Sequence, residues 1–118
     1  MGKADMRFLN LFKGPDINEG LRTLQKTEGA VLLDVRTREE YAGAHIPGSL
    51  NIPLDELQTV QSKIPEKRTP IFVHCLSGGR SHAAAQRLKQ LGYSHVTDIG
   101  GIQPVSYTHL LSTTSDKT

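Results

Sequence analysis

Short apolar runs alternate with amphipathic segments along the chain, and the runs have the composition of buried strands. Residues 30–35 (AVLLDV) and 70–74 (PIFVH) are apolar almost throughout, and residues 95–99 (HVTDI) form a weaker third run. A strand that is covered on both faces of a parallel sheet has this composition, whereas a half-exposed strand alternates between apolar and polar residues. A shorter extended piece is predicted at 49–52.

The segments between these runs carry helix signals. Ile17, Leu21 and Leu24 share one helical face, and Thr37 with Glu40 three residues later forms a capping box. The predicted helices cover residues 17–26, 37–42, 54–60 and 80–91. Strands and helices that alternate in this way predict an α/β fold, in which a central parallel β-sheet is flanked by helices on both faces.

The composition is that of an ordinary single domain. The chain has 118 residues, with 14 Lys+Arg against 12 Asp+Glu and no basic run, so we expect no nucleic acid partner. No segment approaches the ~20 apolar residues of a membrane span, and the N-terminus lacks the apolar core of a signal peptide. We expect an N-terminal extension over 1–14, one domain over 15–105, and a polar, partly disordered C-terminal segment over 106–118.

The single cysteine, Cys75, excludes a disulfide within the chain and any CxxC motif. A lone cysteine favours a reducing compartment, so a cytoplasmic location is expected. A free cysteine is often only a small buried hydrophobe, and that interpretation has to be weighed against catalysis.

The candidate chemistry lies in residues 75–80 (CLSGGR), which join a predicted strand to a predicted helix. A cysteine at the carboxyl end of a parallel strand lies at the edge where open α/β sheets bind ligands. The helix N-terminus offers free backbone N–H groups to an anion, and Gly78 and Gly79 allow successive N–H groups to converge. Together with the positive charge of Arg80, these features favour a Cys75 thiolate beside a cradle for a small oxyanion.

Two separated motifs resemble those of one protein family. Residues 33–36 (LDVR), 40–41 (EY) and 45–53 (HIPGSLNIP) are similar to its first signature, and residues 75–81 (CLSGGRS) are similar to its active-site loop. The family is that of the rhodanese-like sulfurtransferases, and the likeness is to its single-domain bacterial type. With Gly100-Gly101, the resemblance covers about residues 15–103.

This resemblance implies a rhodanese-like three-layer fold and a catalytic Cys75 that carries sulfur as a persulfide. It also implies thiosulfate as a donor and cyanide or a small thiol as an acceptor, with no metal or organic cofactor. Backbone N–H groups of the loop, the guanidinium of Arg80 and two serine hydroxyls would hold the anion. The expected substrate-binding residues are Leu76, Ser77, Gly78, Gly79, Arg80 and Ser81.

Three charged residues are expected to support the site without taking part in the chemistry. Asp34 and Arg36 follow a buried strand, and Glu40 lies four residues after Arg36. We expect an ion pair between Arg36 and Glu40, with Asp34 accepting backbone N–H bonds.

The histidines are not expected to be catalytic. His74 precedes Cys75 on a strand, so its side chain points to the opposite face and a Cys–His dyad is disfavoured. His45 is expected to make a hydrogen bond within a buried turn, and His82 is expected to be exposed. Nothing near these histidines completes a metal-ligand set.

Two other functions compete with the sulfurtransferase reading. Phosphatase chemistry on a related loop would require Cys-x5-Arg, whereas Cys75 and Arg80 are separated by four residues, a smaller ring that suits a sulfur atom better than a phosphate. The alternative that remains is a persulfide carrier or sulfur-sensing module, which would act with a protein sulfur acceptor.

Overall fold

The computed structural model describes residues 15–102, which form a parallel sheet with helices on both faces. The helical segments of this stretch are α1 (Ile17–Lys26), α2 (Arg38–Gly43), a 3₁₀ helix (Leu54–Thr59), α3 (Val60–Lys63) and α4 (Gly79–Gln90). The strands are β1 (Val31–Asp34), β2 (Leu50–Asn51), β3 (Ile71–Cys75) and β4 (Val96–Gly101).

β1 and β3 occupy the centre of the sheet. The strand order is β2-β1-β3-β4, every neighbouring pair is parallel, and Leu33 of β1 lies opposite Val73 of β3. All five residues of β3 are buried, as are the last three of β1. The prediction that the runs at 30–35 and 70–74 are buried strands is therefore confirmed, whereas β4 at the edge of the sheet is only partly buried.

Alternate side chains of the central strands enter two apolar clusters, one on each face of the sheet. Helix α4 packs on one face and helix α1 packs on the other, which gives the expected three layers. The clusters include Leu33, Val73, Ala84 and Leu88 on the first face, and Ile17, Leu32, Phe72 and Ile99 on the second.

Helices α1 and α2 begin where the sequence indicates. Asp16 caps α1 by accepting a hydrogen bond from the Asn18 amide. The expected capping box at Thr37 and Glu40 is present in both directions.

The helix predicted over 54–60 differs from the structure. Residues Leu54–Thr59 form a 3₁₀ helix, and only Val60–Lys63 are α-helical. Pro53 occupies the N-cap without a side-chain hydrogen bond, and Glu56 departs from helical geometry at φ −116°. Apolar spacing alone does not distinguish these two helix types over such a short segment.

An irregularity in the pairing of β3 with β4 positions the end of β4. Val73 lies opposite Asp98, whereas His74 lies opposite Gly100, so the register shifts between them. Gly100 has φ +88°, and its amide donates to the Asp98 carboxylate at 2.9 Å. The shift places Gly101 directly beside Cys75.

The expected N-terminal extension over 1–14, the domain end at 105 and the segment 106–118 lie outside the described residues. Within 15–102, no helix has the length and apolar character needed to cross a bilayer.

A buried ion pair between Asp34 and Arg36 braces the carboxyl edge of β1. Both side chains are almost completely inaccessible, and the Arg36 Nη2 lies 2.8 Å from the Asp34 Oδ2. The Arg36 Nε and backbone amide also donate to the same carboxylate. Removing one member of such a pair leaves the other charge buried without compensation.

We therefore expect Arg36→Met to lower the free energy of unfolding by about 3–5 kcal/mol. Arg38→Met is the matched control, because the side chains of Arg38 and its partner Glu56 are 65% and 40% exposed. That exposed pair contributes about 1 kcal/mol or less. Urea unfolding of both variants measures the difference, and equal losses would contradict a structural role for the buried pair.

Candidate active site

Cys75 is the last residue of β3, and the loop that follows turns at once into α4. The sequence places the cysteine in the loop, but its backbone pairs with Gly101 as part of the sheet. Gly78 is the N-cap of α4 and has φ +103°, a left-handed conformation that costs glycine little. The turn therefore requires a glycine at position 78.

The sulfur of Cys75 accepts hydrogen bonds from two backbone amides of the loop. The Gly78 amide is 2.9 Å from Sγ, and the Ser81 amide is 3.3 Å from it. Cys75 has no exposed surface, so these donors act on the sulfur in a region from which water is excluded. Amides at a helix N-terminus lack intrahelical acceptors and favour negative charge. Two amide donors of the loop therefore converge on the Cys75 sulfur.

Gly101 allows the loop to lie against β4. A Cβ atom at this position would stand 2.5 Å from the Leu76 carbonyl oxygen and 2.8 Å from the Gly78 nitrogen. Both contacts are with backbone and are shorter than real Cβ atoms show, so any larger residue would displace the loop. The sequence draws attention to this glycine only through the family resemblance, because nothing local to residues 100–101 indicates a contact with residues 76–78.

The two serines of the loop differ in their surroundings. Ser81 is buried, and its hydroxyl donates to the Gly78 carbonyl oxygen at 3.0 Å. Without an anion the hydroxyl is engaged by that carbonyl, and the backbone amide of Ser81 faces the sulfur, so donation of the hydroxyl to a bound anion stays a prediction. Ser77 is exposed, together with Leu76 and Gly79, on the outer part of the loop.

Arg80 lies in the first turn of α4 and forms a two-pronged ion pair with Glu40. Its guanidinium nitrogens are 2.8 and 3.1 Å from the two carboxylate oxygens, and both side chains are about two thirds buried. The pairing lowers the pKa of Glu40 from 4.5 to about 2, and it raises the pKa of Arg80. The charge of Arg80 is thus partly offset by Glu40.

The expected ion pair between Arg36 and Glu40 is wrong. Arg36 pairs with Asp34 and also donates to the carbonyl oxygen of Ala44 at 2.8 Å, whereas Glu40 pairs with Arg80. The expectation that Asp34 accepts a backbone N–H bond is confirmed, since the Arg36 amide donates to it at 2.9 Å.

Asn51 is a supporting residue that the sequence does not single out. Its side-chain amide donates to the carbonyl oxygens of both Asp34 and Arg36 at 3.0 Å. These bonds fix the backbone that leaves β1, at the same sheet edge as Cys75. The resembled family motif has an asparagine at this position, and that likeness is the signal that could have identified Asn51 as a supporting residue.

The histidines lie as predicted. His74 is buried on the opposite face from Cys75, with Nε2 3.7 Å from the Asp34 Oδ2, and that nitrogen has no hydrogen-bond partner among residues 15–102. Burial lowers the pKa of His74 below its usual 6.5. His45 contacts the Tyr41 carbonyl oxygen at 2.9 Å and stacks on the Tyr41 ring, and His82 is exposed. Residues 15–102 contain no cluster of side chains suited to a metal ion.

The pairing of Glu40 with Arg80 predicts a loss of stability in acid. Because the pKa of Glu40 is lowered in the folded state, its contribution is present above pH 4.5 and is lost as the pH falls toward 2. The unfolding free energies of wild type and Glu40→Gln should therefore differ by up to about 1 kcal/mol at neutral pH and converge in acid. Thermal and urea unfolding across this range measure the difference.

Glu39→Gln is the control, because Glu39 lies in the same first turn of α2 and makes no ion pair within residues 15–102. If Glu40→Gln and Glu39→Gln changed the free energy of unfolding by the same amount at every pH, the acid-dependent stability could not be assigned to the pairing of Glu40 with Arg80.

Comparison with known proteins agrees with this arrangement. A family model described as a rhodanese-like domain matches residues 18–105. The thiosulfate sulfurtransferase PspE of Escherichia coli is 35% identical over 75 residues, which cover 63% of this chain and 72% of that protein. A putative sulfur carrier protein of Bacillus subtilis, YrkF, is 40% identical over 72 residues, but the match spans only 38% of its length.

A solved structure has the same fold. The rhodanese with anions from E. coli aligns with a TM-score of 0.58 at 36% identity, over 61% of this chain and 86% of that one. The family model extends over most of the chain and includes both the support residues and the cysteine loop. The chain belongs to the rhodanese-like domain family.

Proposed function

We propose that this chain is a sulfurtransferase that moves the outer sulfur of thiosulfate, or of a related persulfide donor, to a thiophilic acceptor through Cys75. The observation that carries the proposal is the pair of backbone amides that donate to the Cys75 sulfur. Donors fixed on a nucleophilic sulfur stabilise its anionic form and remain in place for the anionic persulfide. The relative PspE, named as a thiosulfate sulfurtransferase, supports the choice of donor.

The reaction has two steps that share one covalent intermediate. The Cys75 thiolate attacks the outer sulfur of thiosulfate, the S–S bond of thiosulfate breaks, and sulfite leaves with the electron pair. The Cys75 persulfide anion remains. Cyanide then attacks the outer sulfur, the Sγ–S bond breaks with its electron pair returning to Sγ, and thiocyanate leaves. A thiol acceptor reacts in the same way and leaves as a persulfide.

The loop supplies the groups that handle anions in both steps. Backbone amides from Leu76 to Arg80 hold the anionic outer sulfur, and the amides of Gly79 and Arg80 lie in the helix turn that lacks intrahelical acceptors. Arg80 attracts thiosulfate, although Glu40 offsets part of its charge. Cys75 has no exposed surface, so the exposed residues of the loop, such as Leu76 and Ser77, must move before the donor can reach Sγ.

A second candidate function is a persulfide carrier that delivers sulfur to a protein acceptor in a reducing, cytoplasmic setting. Leu76 supports it, because this residue next to Cys75 is the exposed large hydrophobic side chain of the described residues, at 40% exposure. The relative YrkF, named as a putative sulfur carrier protein, also supports it. Both functions require the same Cys75 persulfide and differ in the acceptor.

Incubation with thiosulfate should add one sulfur atom to the intact protein, because the amide-held thiolate is the nucleophile. Intact-mass analysis measures the addition, and cyanide or a reducing thiol should reverse it. Cys75→Ala is the control and should remain unmodified. Wild type that gains no sulfur, or an alanine variant that gains one, would contradict the proposal.

Gly101→Ala should lower kcat/KM for thiosulfate by on the order of ten- to a hundredfold, because the new Cβ displaces the loop that holds the sulfur. The matched control is Gly43→Ala, since a Cβ at position 43 would meet no atom within 4 Å. Steady-state kinetics on both variants, with circular dichroism as a folding check, make the comparison. Full activity in a folded Gly101→Ala protein would show that the close contact with the loop is not needed.

A further inference from the structure

A cavity of about 290 Å³ opens beside the start of α4, and of the residues to which the proposed reaction gives a role only Arg80 lines it. It lies between the carboxyl end of β1, the 3₁₀ helix and α4, and Val35, Pro53 and Leu54 form its apolar surface. Arg80 lines it as well, so the cavity reaches the first turn of α4, directly after the cysteine loop. Its volume is at the low end of the range for small-molecule sites and is suited to a ligand of few atoms.

Two further charged residues line the cavity, and their charges are opposite. Arg87 lies two helical turns after Arg80 on α4, and Asp55 lies in the first turn of the 3₁₀ helix. Arg87 donates one hydrogen bond to the Leu54 carbonyl oxygen at 3.3 Å. Within residues 15–102, neither Arg87 nor Asp55 belongs to an ion pair, whereas Arg80 is paired with Glu40.

The cavity therefore offers one positive and one negative side chain, each outside the ion pairs of residues 15–102, around an apolar surface. A simple anion would be attracted by Arg87 and repelled by Asp55, and a simple cation would meet the reverse. A ligand that carries both charges a few bonds apart is complementary to the pair.

We propose that this cavity binds the sulfur acceptor and selects a thiol that carries both an ammonium and a carboxylate group, as an α-amino acid thiol does. Arg87 holds the carboxylate, Asp55 holds the ammonium, and the thiol points along Arg80 toward the loop. The inference rests on the proposed function, because the thiol receives the outer sulfur of the Cys75 persulfide. In that step the acceptor sulfur bonds to the outer sulfur, the Sγ–S bond breaks, the electron pair returns to Sγ, and the acceptor proton remains on the new persulfide.

Four small thiols separate the two charges. Cysteine carries both groups, cysteamine carries only the ammonium, 3-mercaptopropionate carries only the carboxylate, and 2-mercaptoethanol carries neither. The protein is first loaded with thiosulfate, freed of excess donor, and checked by intact mass. The second-order rate of sulfur removal is then measured for each thiol and for cyanide. Each rate is divided by the wild-type rate for the same thiol, so differences in intrinsic thiol reactivity cancel.

Arg87→Gln should slow discharge by cysteine and 3-mercaptopropionate about two- to fivefold, the range of an exposed ion pair, and leave the other two thiols unchanged. Asp55→Asn should slow cysteine and cysteamine to a similar extent and leave the other two unchanged. Arg22→Gln and Glu28→Gln change the same charges near α1, on the other face of the sheet, and should alter none of the rates. Cyanide should discharge all of these variants at the wild-type rate.

Several results would overturn the inference. The rates of sulfur removal by the four thiols are the deciding quantity. If neither substitution changed these rates, or if each lowered all four by the same factor, the cavity would not select the acceptor. A loss in only one of the two variants would overturn recognition of both charges. Protein that never gains sulfur from thiosulfate would refute the proposed function itself, and this result is distinguishable because it precedes the acceptor step.

Discussion

The hydrogen bonds from the Gly78 and Ser81 amides to the Cys75 sulfur determine the shape of the loop and which residues fit around it. For both amides to reach one sulfur, the chain must turn within three residues of the strand end, which needs the left-handed conformation of Gly78. The turn presses against β4, where only a residue without a side chain fits at position 101. The hydroxyl of Ser81 returns to the Gly78 carbonyl and holds the turn closed.

Two ion pairs serve this loop at different depths. Asp34 and Arg36 are fully buried and fix the floor of the site at the end of β1, where the pair also binds the Ala44 carbonyl. Glu40 and Arg80 are partly exposed and connect α2 to the first turn of α4. The first pair holds the sheet edge at the end of β1. The second offsets part of the charge of Arg80, so in the proposed function it moderates how strongly Arg80 attracts thiosulfate.

Much of this arrangement could be predicted from the sequence, because its causes are local. Apolar runs identify strands buried on both faces, and Thr37 with Glu40 identifies the start of α2. The CLSGGR segment identifies the sulfur and the turn. The predicted partner of Arg36 was wrong for a physical reason: α2 begins at Arg38, so Arg36 precedes the helix, and the spacing of four residues to Glu40 does not place the two side chains on one helical face. The buried Asp34 carboxylate takes Arg36 instead.

The features that sequence reasoning missed depend on contacts between distant segments. Glu40 meets Arg80 across forty positions, and Gly101 meets residues 76–78 across about twenty-five. No pattern near either residue signals its partner. The register shift between β3 and β4 likewise follows from the packing of the sheet end, because it depends on Gly100 at φ +88° and on the Asp98 carboxylate that accepts from it.

The role of the loop amides is tested most directly by ¹⁵N-edited NMR while sulfur is loaded onto Cys75 and then removed by cyanide. The Gly78 and Ser81 amide resonances should move when the persulfide forms and return on discharge, together with those of Gly79 and Arg80. Amides on the far side of the sheet, such as those of α1, should remain in place. Protein that carries one extra sulfur by mass, yet leaves the Gly78 and Ser81 resonances unmoved, would contradict the claim that these amides hold the Cys75 sulfur on which the persulfide forms.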